Sequence, residues 1–196
     1  MLSNDGWFTM SIKSGGDTLS EYYHKNDVFV LGAKGGHYEI ALRNTSPRRA
    51  IAVVNIDGLC AVDGRELLED GLGYILEPGV SVNVDCWRFQ TNQCPPLQFG
   101  YLPRGFEKEM DEPGNPGVIE AIFFFERTKP YCSSNWLAQS GYNKKTIERR
   151  GWGAKDEERV IREQFAKEHS PISTIVIQYE ERSAFEEMGI FNSPNE

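Results

Sequence analysis

No stretch of this sequence approaches the ~18 consecutive apolar residues that a membrane-crossing helix needs. Met1 to Met10 also lacks the basic start and apolar centre of a secretory signal. The expectation from both absences is a soluble, cytoplasmic chain with no membrane partner. Histidine is scarce: His24, His37 and His169 are the three. His24 and His37 lie near expected strand ends, where a shared metal would need further ligands at matched spacing. His169 suits the last turn of an expected helix, where a cation meets the helix dipole. The four cysteines, Cys60, Cys86, Cys94 and Cys132, are irregularly spaced, with no C-x-x-C pair and no histidine at zinc-ligand distance. Reduced, packed thiols are the reading that follows. There is no G-x-S-x-G elbow and no H-E-x-x-H helix. Gly32-Ala33-Lys34-Gly35-Gly36 lacks the spacing and the following Ser/Thr of a phosphate loop, and reads as a hairpin turn. Gly71-Leu72-Gly73 and Gly151-Trp152-Gly153 are too short for a dinucleotide fingerprint. No catalytic residue, cofactor or metal is therefore assigned. Basic charge is in deficit too, at a net −8. Such a field repels phosphate backbones and argues against a nucleic-acid partner. The two basic clusters, Arg48-Arg49 and Lys144, Lys145, Arg149, Arg150, are short and read as solvated faces.

What is present is a foldable chain. At 196 residues it fits one domain and can bury roughly 70% of its unfolded surface without staples. Its 12% aromatic content argues against disorder. Residues 1–20, polar and Gly/Ser-rich with Trp7, Phe8, Met10 and Ile12 interspersed, read as an N-terminal arm that docks on its own sheet or on a neighbour. Residues 21–130 read as strand and turn. Val28 to Leu31 is a short apolar run, and Tyr38, Ile40 and Leu42 alternate onto one face. Asn44-Thr45-Ser46-Pro47 is a turn, and Ala50 to Ile56 a β-branched apolar strand. Asp57-Gly58 and Asp63-Gly64 punctuate Leu59 to Val62 as hairpin turns do. Glu77-Pro78-Gly79 turns the chain into Val80, Val82 and Val84, which alternate with polar partners. Leu97 to Leu102 is a further short strand, Pro103 to Gly117 a long loop, and Val118 to Phe125 a strand buried on both faces. Short strands with turns every ~8–12 residues predict a mainly β fold, a jelly-roll-like β-sandwich.

Residues 131–196 read as a C-terminal helical and strand appendage. Tyr131 to Gly153 is polar and loop-like. Lys155 to His169 has helix-forming composition with Val160, Ile161 and Phe165 on one stripe. Ile172 to Tyr179 alternates as a strand that rejoins the main body. Glu180 to Met188 is a short helix stopped by Gly189.

Two sets of residues are candidates for function. Trp7, Phe8, Trp136, Tyr142 and Trp152 lie in polar surroundings, and aromatics there are rigid, low-entropy contact residues for a protein partner or for self-association. Asp57, Asp63 and Asp85 with Trp87 form the alternative: carboxylates and a nearby tryptophan suffice to bind or cleave a sugar on a β fold. Against it, Asp57 and Asp63 are explained as Asp-Gly turn residues. Trp87 is explained as a core side chain, with Arg88 paired to an acid.

The run His37-Tyr38-Glu39-Ile40-Ala41-Leu42-Arg43-Asn44 and then Val53-Val54-Asn55-Ile56-Asp57-Gly58-Leu59 resembles a family of bacterial and phage-associated proteins. So do Gly73-Tyr74-Ile75-Leu76-Glu77-Pro78-Gly79-Val80-Ser81, Trp87-Arg88, Gly117-Val118-Ile119 and Phe123-Phe124-Phe125. The likeness spans about residues 35–127, and more faintly the tail to Ile190. It implies a β-sandwich core and carries over no reaction and no catalytic residue. It departs in the tail, where an expected glycine-rich segment is reduced to Gly151-Trp152-Gly153-Ala154. The matched residues are turns and core, which report a fold and leave function to sites grafted on it. The resulting expectation is a non-enzymatic structural or binding module, part of a larger assembly such as a phage particle or surface structure, and so cytoplasmic or virion-associated.

Overall fold

The computed structural model describes residues 1–65, 72–88, 94–101, 117–127, 146–149 and 161–191. Two β-sheets account for most of them. The smaller takes four strands in the order β2 (Asp17–Thr18), β1 (Phe8–Ser14), β5 (Glu39–Asn44), β9 (Ser81–Val84), all antiparallel. The larger runs β12 (Ile161–Gln164), β11 (Thr146–Arg149), β8 (Tyr74–Leu76), β6 (Ala50–Ile56), β10 (Val118–Phe125), β13 (Ser173–Glu180), β4 (Asp27–Leu31), β3 (Glu21–His24). β7 (Leu59–Cys60) adds to it as a hairpin on β6. This sheet is mixed: β13 runs parallel to β4 and β11 parallel to β8, whereas a jelly roll is antiparallel throughout. One helix, α1 (Arg182–Glu187), follows β13.

The alternation of side chains explains which face of each sheet is dry. Phe8, Met10 and Ile12 of β1 and Ile40 and Leu42 of β5 are buried, while the residues between them face outward. They share one core with Ala50, Ala52, Val54 and Ile56 of β6, Ile119, Ala121 and Phe123 of β10, and Ile175 and Ile177 of β13. The smaller sheet is thus wet on one side, as antiparallel sheets commonly are. The central strands of the larger sheet are buried on both sides. Ile51, Val53, Ile75, Ile122 and Phe124 form a second apolar cluster with Phe165 on the opposite face. The apolar runs Ala50–Val54 of β6 and Ala121–Phe125 of β10 follow from this double burial.

Four expectations about secondary-structure elements are corrected. Residues 8–14 are no arm: β1 pairs with β5 from Phe8–Asn44 to Lys13–Glu39, because the period-two pattern of Phe8, Met10 and Ile12 is that of a half-buried strand. The tail strand β13 does rejoin the main body, but as an interior strand and not as part of an appendage. That strand lies between β10 and β4, its Ile175, Ile177 and Tyr179 facing the shared core. The helix expected over Lys155–His169 is replaced, within the described residues, by β12 paired antiparallel with β11. Ladder pairing overrides a weak helix propensity there. Leu97 to Leu102 is not a strand: within the described residues there are only isolated bridges at Gln98 and Tyr101, though Leu97 and Phe99 are buried.

Other expectations hold. Asp57 and Gly58 both take positive φ, 51° and 86°, the pair of values that a two-residue hairpin turn with the favoured twist requires. Gly189 takes φ 73° after α1. The Ile190 N–H returns to the Phe185 carbonyl and the Gly189 N–H to that of Glu186, a Schellman stop. Asn44 ends β5 with its side chain fully buried, donating to the Arg48 and Leu76 carbonyls and accepting from Ser46. It thereby ties the smaller sheet to β8 of the larger. Arg48 and Arg49 are not a solvated face. Arg49 pairs with Glu77 and Glu126, Arg48 pairs with Glu168, and the Arg48 guanidinium lies 4.2 Å from the Phe125 ring centre. Their stems cover apolar surface while their charges find partners.

Candidate functional site: a buried carboxylate brace

The chemically richest cluster forms at the end of the larger sheet where β6 turns into β7. Asp57 is only 5% exposed. The turn geometry throws its carboxylate inward, toward the start of β10 and the end of β13. Oδ1 accepts from the Gly117 N–H at 2.7 Å and the Val118 N–H at 3.2 Å. Oδ2 accepts from the Tyr179 hydroxyl at 2.6 Å. That hydroxyl in turn accepts from the Gly100 N–H at 3.3 Å. Backbone bonds close the frame: the Asp57 N–H meets the Val118 carbonyl and the Tyr179 N–H meets the Gly117 carbonyl.

Aromatic rings wall this relay. Tyr38 stacks on Phe99 with ring centres 4.4 Å apart, and Phe99 lies 5.1 Å from Tyr179. Two glycines let the chain come so close. A Cβ on Gly117, whose φ is 82°, would lie 2.9 Å from the Tyr179 carbonyl oxygen, and one on Gly32 would meet the Phe99 ring at 2.9 Å. Burial raises the Asp57 carboxyl above its usual range, opposed by the hydrogen bonds from Tyr179, Gly117 and Val118. Burial, followed by the Asp57 charge, raises the phenols of Tyr38 and Tyr179 far above theirs. The arrangement can exchange a proton and hold three chain segments together. Sealed as it is, it presents no carboxylate to a substrate.

The alternative ligand set does not converge on a surface. Asp57 is committed to the brace. Asp63 sits in the next turn, 3.2 Å from Arg65, and Asp85 follows β9, 3.6 Å from Arg88. The Arg88 N–H does reach the Ala61 carbonyl at 2.8 Å, so the two turns run side by side. Trp87 is 1% exposed in the core and offers no ring face to a sugar. Its pairing with Pro95 and that of Leu97 with Asp85 bring Cys86 and Cys94 to a Cα separation of 5.4 Å, where they form a disulfide. This corrects the expectation of reduced thiols for that pair. Cys60 is a free, buried thiol that burial pushes up to about 11.

Of the aromatic candidates, Trp7 and Phe8 part company. Phe8 is buried, stacked on Phe123 with centres 4.3 Å apart, and is no contact residue. Trp7 is 42% exposed. Trp136, Tyr142, Trp152 and Cys132 lie outside the described residues. His24 is the last residue of β3, and the His37 ring lies 2.6 Å from the Gln98 amide. Among the described residues no group of three His, Cys, Asp or Glu side chains gathers to hold a metal, and no helix is long and apolar enough to cross a membrane.

Sequence reasoning missed Tyr38, Phe99, Tyr179 and Gly117 as partners of Asp57. The Asp-Gly pair signalled the turn, but nothing in a linear pattern joins it to a tyrosine 122 positions away. No protein-family model matches this chain, and no curated protein or solved structure matches it either.

Proposed function

We propose that this chain is a non-enzymatic structural or binding module, a β-sandwich in a larger assembly such as a phage particle or surface structure. Its partner on this reading is another protein or a second copy of itself. The observation that supports it is the mounting of Trp7. The Trp7 N–H donates to Asp5 Oδ1 at 2.8 Å, and its carbonyl accepts from both the Thr45 N–H at 2.8 Å and the Thr45 hydroxyl at 2.9 Å. The next residue, Phe8, is locked in the core. A large aromatic whose backbone is pinned on three bonds while the residue stays 42% exposed loses little entropy when a partner covers it. Leu2, bridged to Thr9 and 57% exposed, adds apolar surface to the same strand pair.

The test compares the chain with a Trp7→Ala variant by light scattering over a concentration series and by co-sedimentation with particle fractions from its host. Self-association or particle binding by the parent, lost in the variant while the circular dichroism is unchanged, is the expected result. A parent that stays monomeric at every concentration and never enters the particle fraction overturns the reading.

A further inference from the structure

We infer that Asp57 and Tyr179 form a proton-operated latch that joins Gly100 to Gly117 and Val118. The observation is a continuous relay: Gly100 N–H to Tyr179 Oη, Tyr179 O–H to Asp57 Oδ2, and Gly117 and Val118 N–H to Asp57 Oδ1. One buried carboxylate and one phenol therefore join Gly100 to Gly117 and Val118.

The charge state of that carboxylate decides how the relay points. Ionised, Asp57 is acceptor only, so it takes the Tyr179 hydroxyl proton and two backbone N–H groups in charge-assisted bonds. The orientation leaves the Tyr179 lone pairs aimed at Gly100. When a proton from solvent binds Oδ2, that oxygen becomes the donor and Tyr179 Oη the acceptor, and the Tyr179 hydrogen must turn toward another acceptor. The Gly117 and Val118 bonds to Oδ1 lose their charge assistance at the same time. No bond to carbon changes; one proton is added from water and one hydrogen bond reverses.

Of the side chains facing Asp57 among the described residues, the phenols of Tyr38 and Tyr179 both stay neutral far above the range in which a carboxyl titrates. Its other hydrogen-bond partners are the Gly117 and Val118 backbone, and the Glu180 carboxylate lies beside Gly117. A change shared by the Asp57 carboxyl carbon and the Gly100, Gly117 and Val118 amides therefore reports Asp57. Burial moves its proton uptake toward neutrality relative to an ordinary aspartate.

The test is an NMR pH titration of the full chain, reading the Asp57 side-chain carboxyl carbon together with the amides of Gly100, Gly117 and Val118. All four signals are expected to move with one midpoint, above the ordinary aspartate range. In Asp57→Asn the common midpoint is expected to vanish from all three amides. In Tyr179→Phe the Gly117 and Val118 amides should still titrate, with a midpoint shifted upward by loss of the hydroxyl bond, while Gly100 falls silent. A Gly100 amide that fails to follow Asp57 in the parent chain overturns the latch, as does a Gly100 response that survives in Tyr179→Phe. The parent titration decides the matter even where a variant does not fold.

Discussion

Tyr179, near the end of β13, donates its hydroxyl proton to Asp57 in the β6–β7 turn at 2.6 Å, and this one bond joins the last strand of the larger sheet to its central hairpin. Removing one partner leaves the other buried without its bond, which costs about 1–3 kcal/mol. Tyr179→Phe keeps the ring packed against Phe99 and is expected to lower stability by about that amount, read as a fall in the urea midpoint with an unchanged slope.

The same site makes stability depend on pH, and its sign is set. Burial raises the Asp57 carboxyl in the folded chain above its unfolded value. The folded state then holds the proton more tightly. The Asp57 contribution favours folding fully below the unfolded value and is lost as pH rises through the folded one. Asp57→Asn should flatten that part of the profile, measured as urea stability against pH across the acidic range for both chains. A parent profile in that range no steeper than the variant's would contradict the direction.

Trp7 and Phe8 are neighbours with opposite expectations. Phe8→Ala removes a fully buried ring stacked on Phe123 and should cost about 3–5 kcal/mol. Trp7→Ala touches an exposed ring and should stay within about 0.5 kcal/mol. Chemical denaturation of the two variants side by side checks both.

Gly117→Ala should destabilise the chain by more than about 1 kcal/mol. Its φ is 82°, and the added Cβ would come within 2.9 Å of the Tyr179 carbonyl oxygen, which is itself in the frame around Asp57. At Gly79, φ 75° with open space around the Cβ, the backbone strain acts alone and a smaller loss is expected. Thermal melts of the two variants rank them.

The Cys86–Cys94 bond closes a short loop, separation 8, and by loop-closure entropy contributes about 2–3 kcal/mol. Thiol mapping by mass spectrometry on the native chain should find both cysteines protected from alkylation until a reductant is added. Cys60 should stay unmodified until the chain unfolds, since its thiol is buried and pushed up to about 11.

Periodicity and turn chemistry determined much of this protein directly. The alternation at Tyr38–Leu42, the double-sided apolar run of Val118–Phe125, the Asp57-Gly58 hairpin and the Gly189 helix stop are all local consequences of side-chain spacing and backbone freedom, and each is where the sequence places it; of Val80, Val82 and Val84 only Val84 is buried, and Val80 is exposed. β1 obeys the same rule, but its alternation of Phe8, Met10 and Ile12 is masked by the polar, glycine-rich composition around it.

Which strands become neighbours was decided elsewhere. β13 enters between β10 and β4, β1 pairs with β5, and a carboxylate that a turn alone would explain is drawn inward to a tyrosine, two amides and a wall of rings. Pairing order and buried polar contacts depend on the closing of long loops and on which apolar faces pack together. Those are properties of the whole chain, and a local pattern of residues carries no record of them.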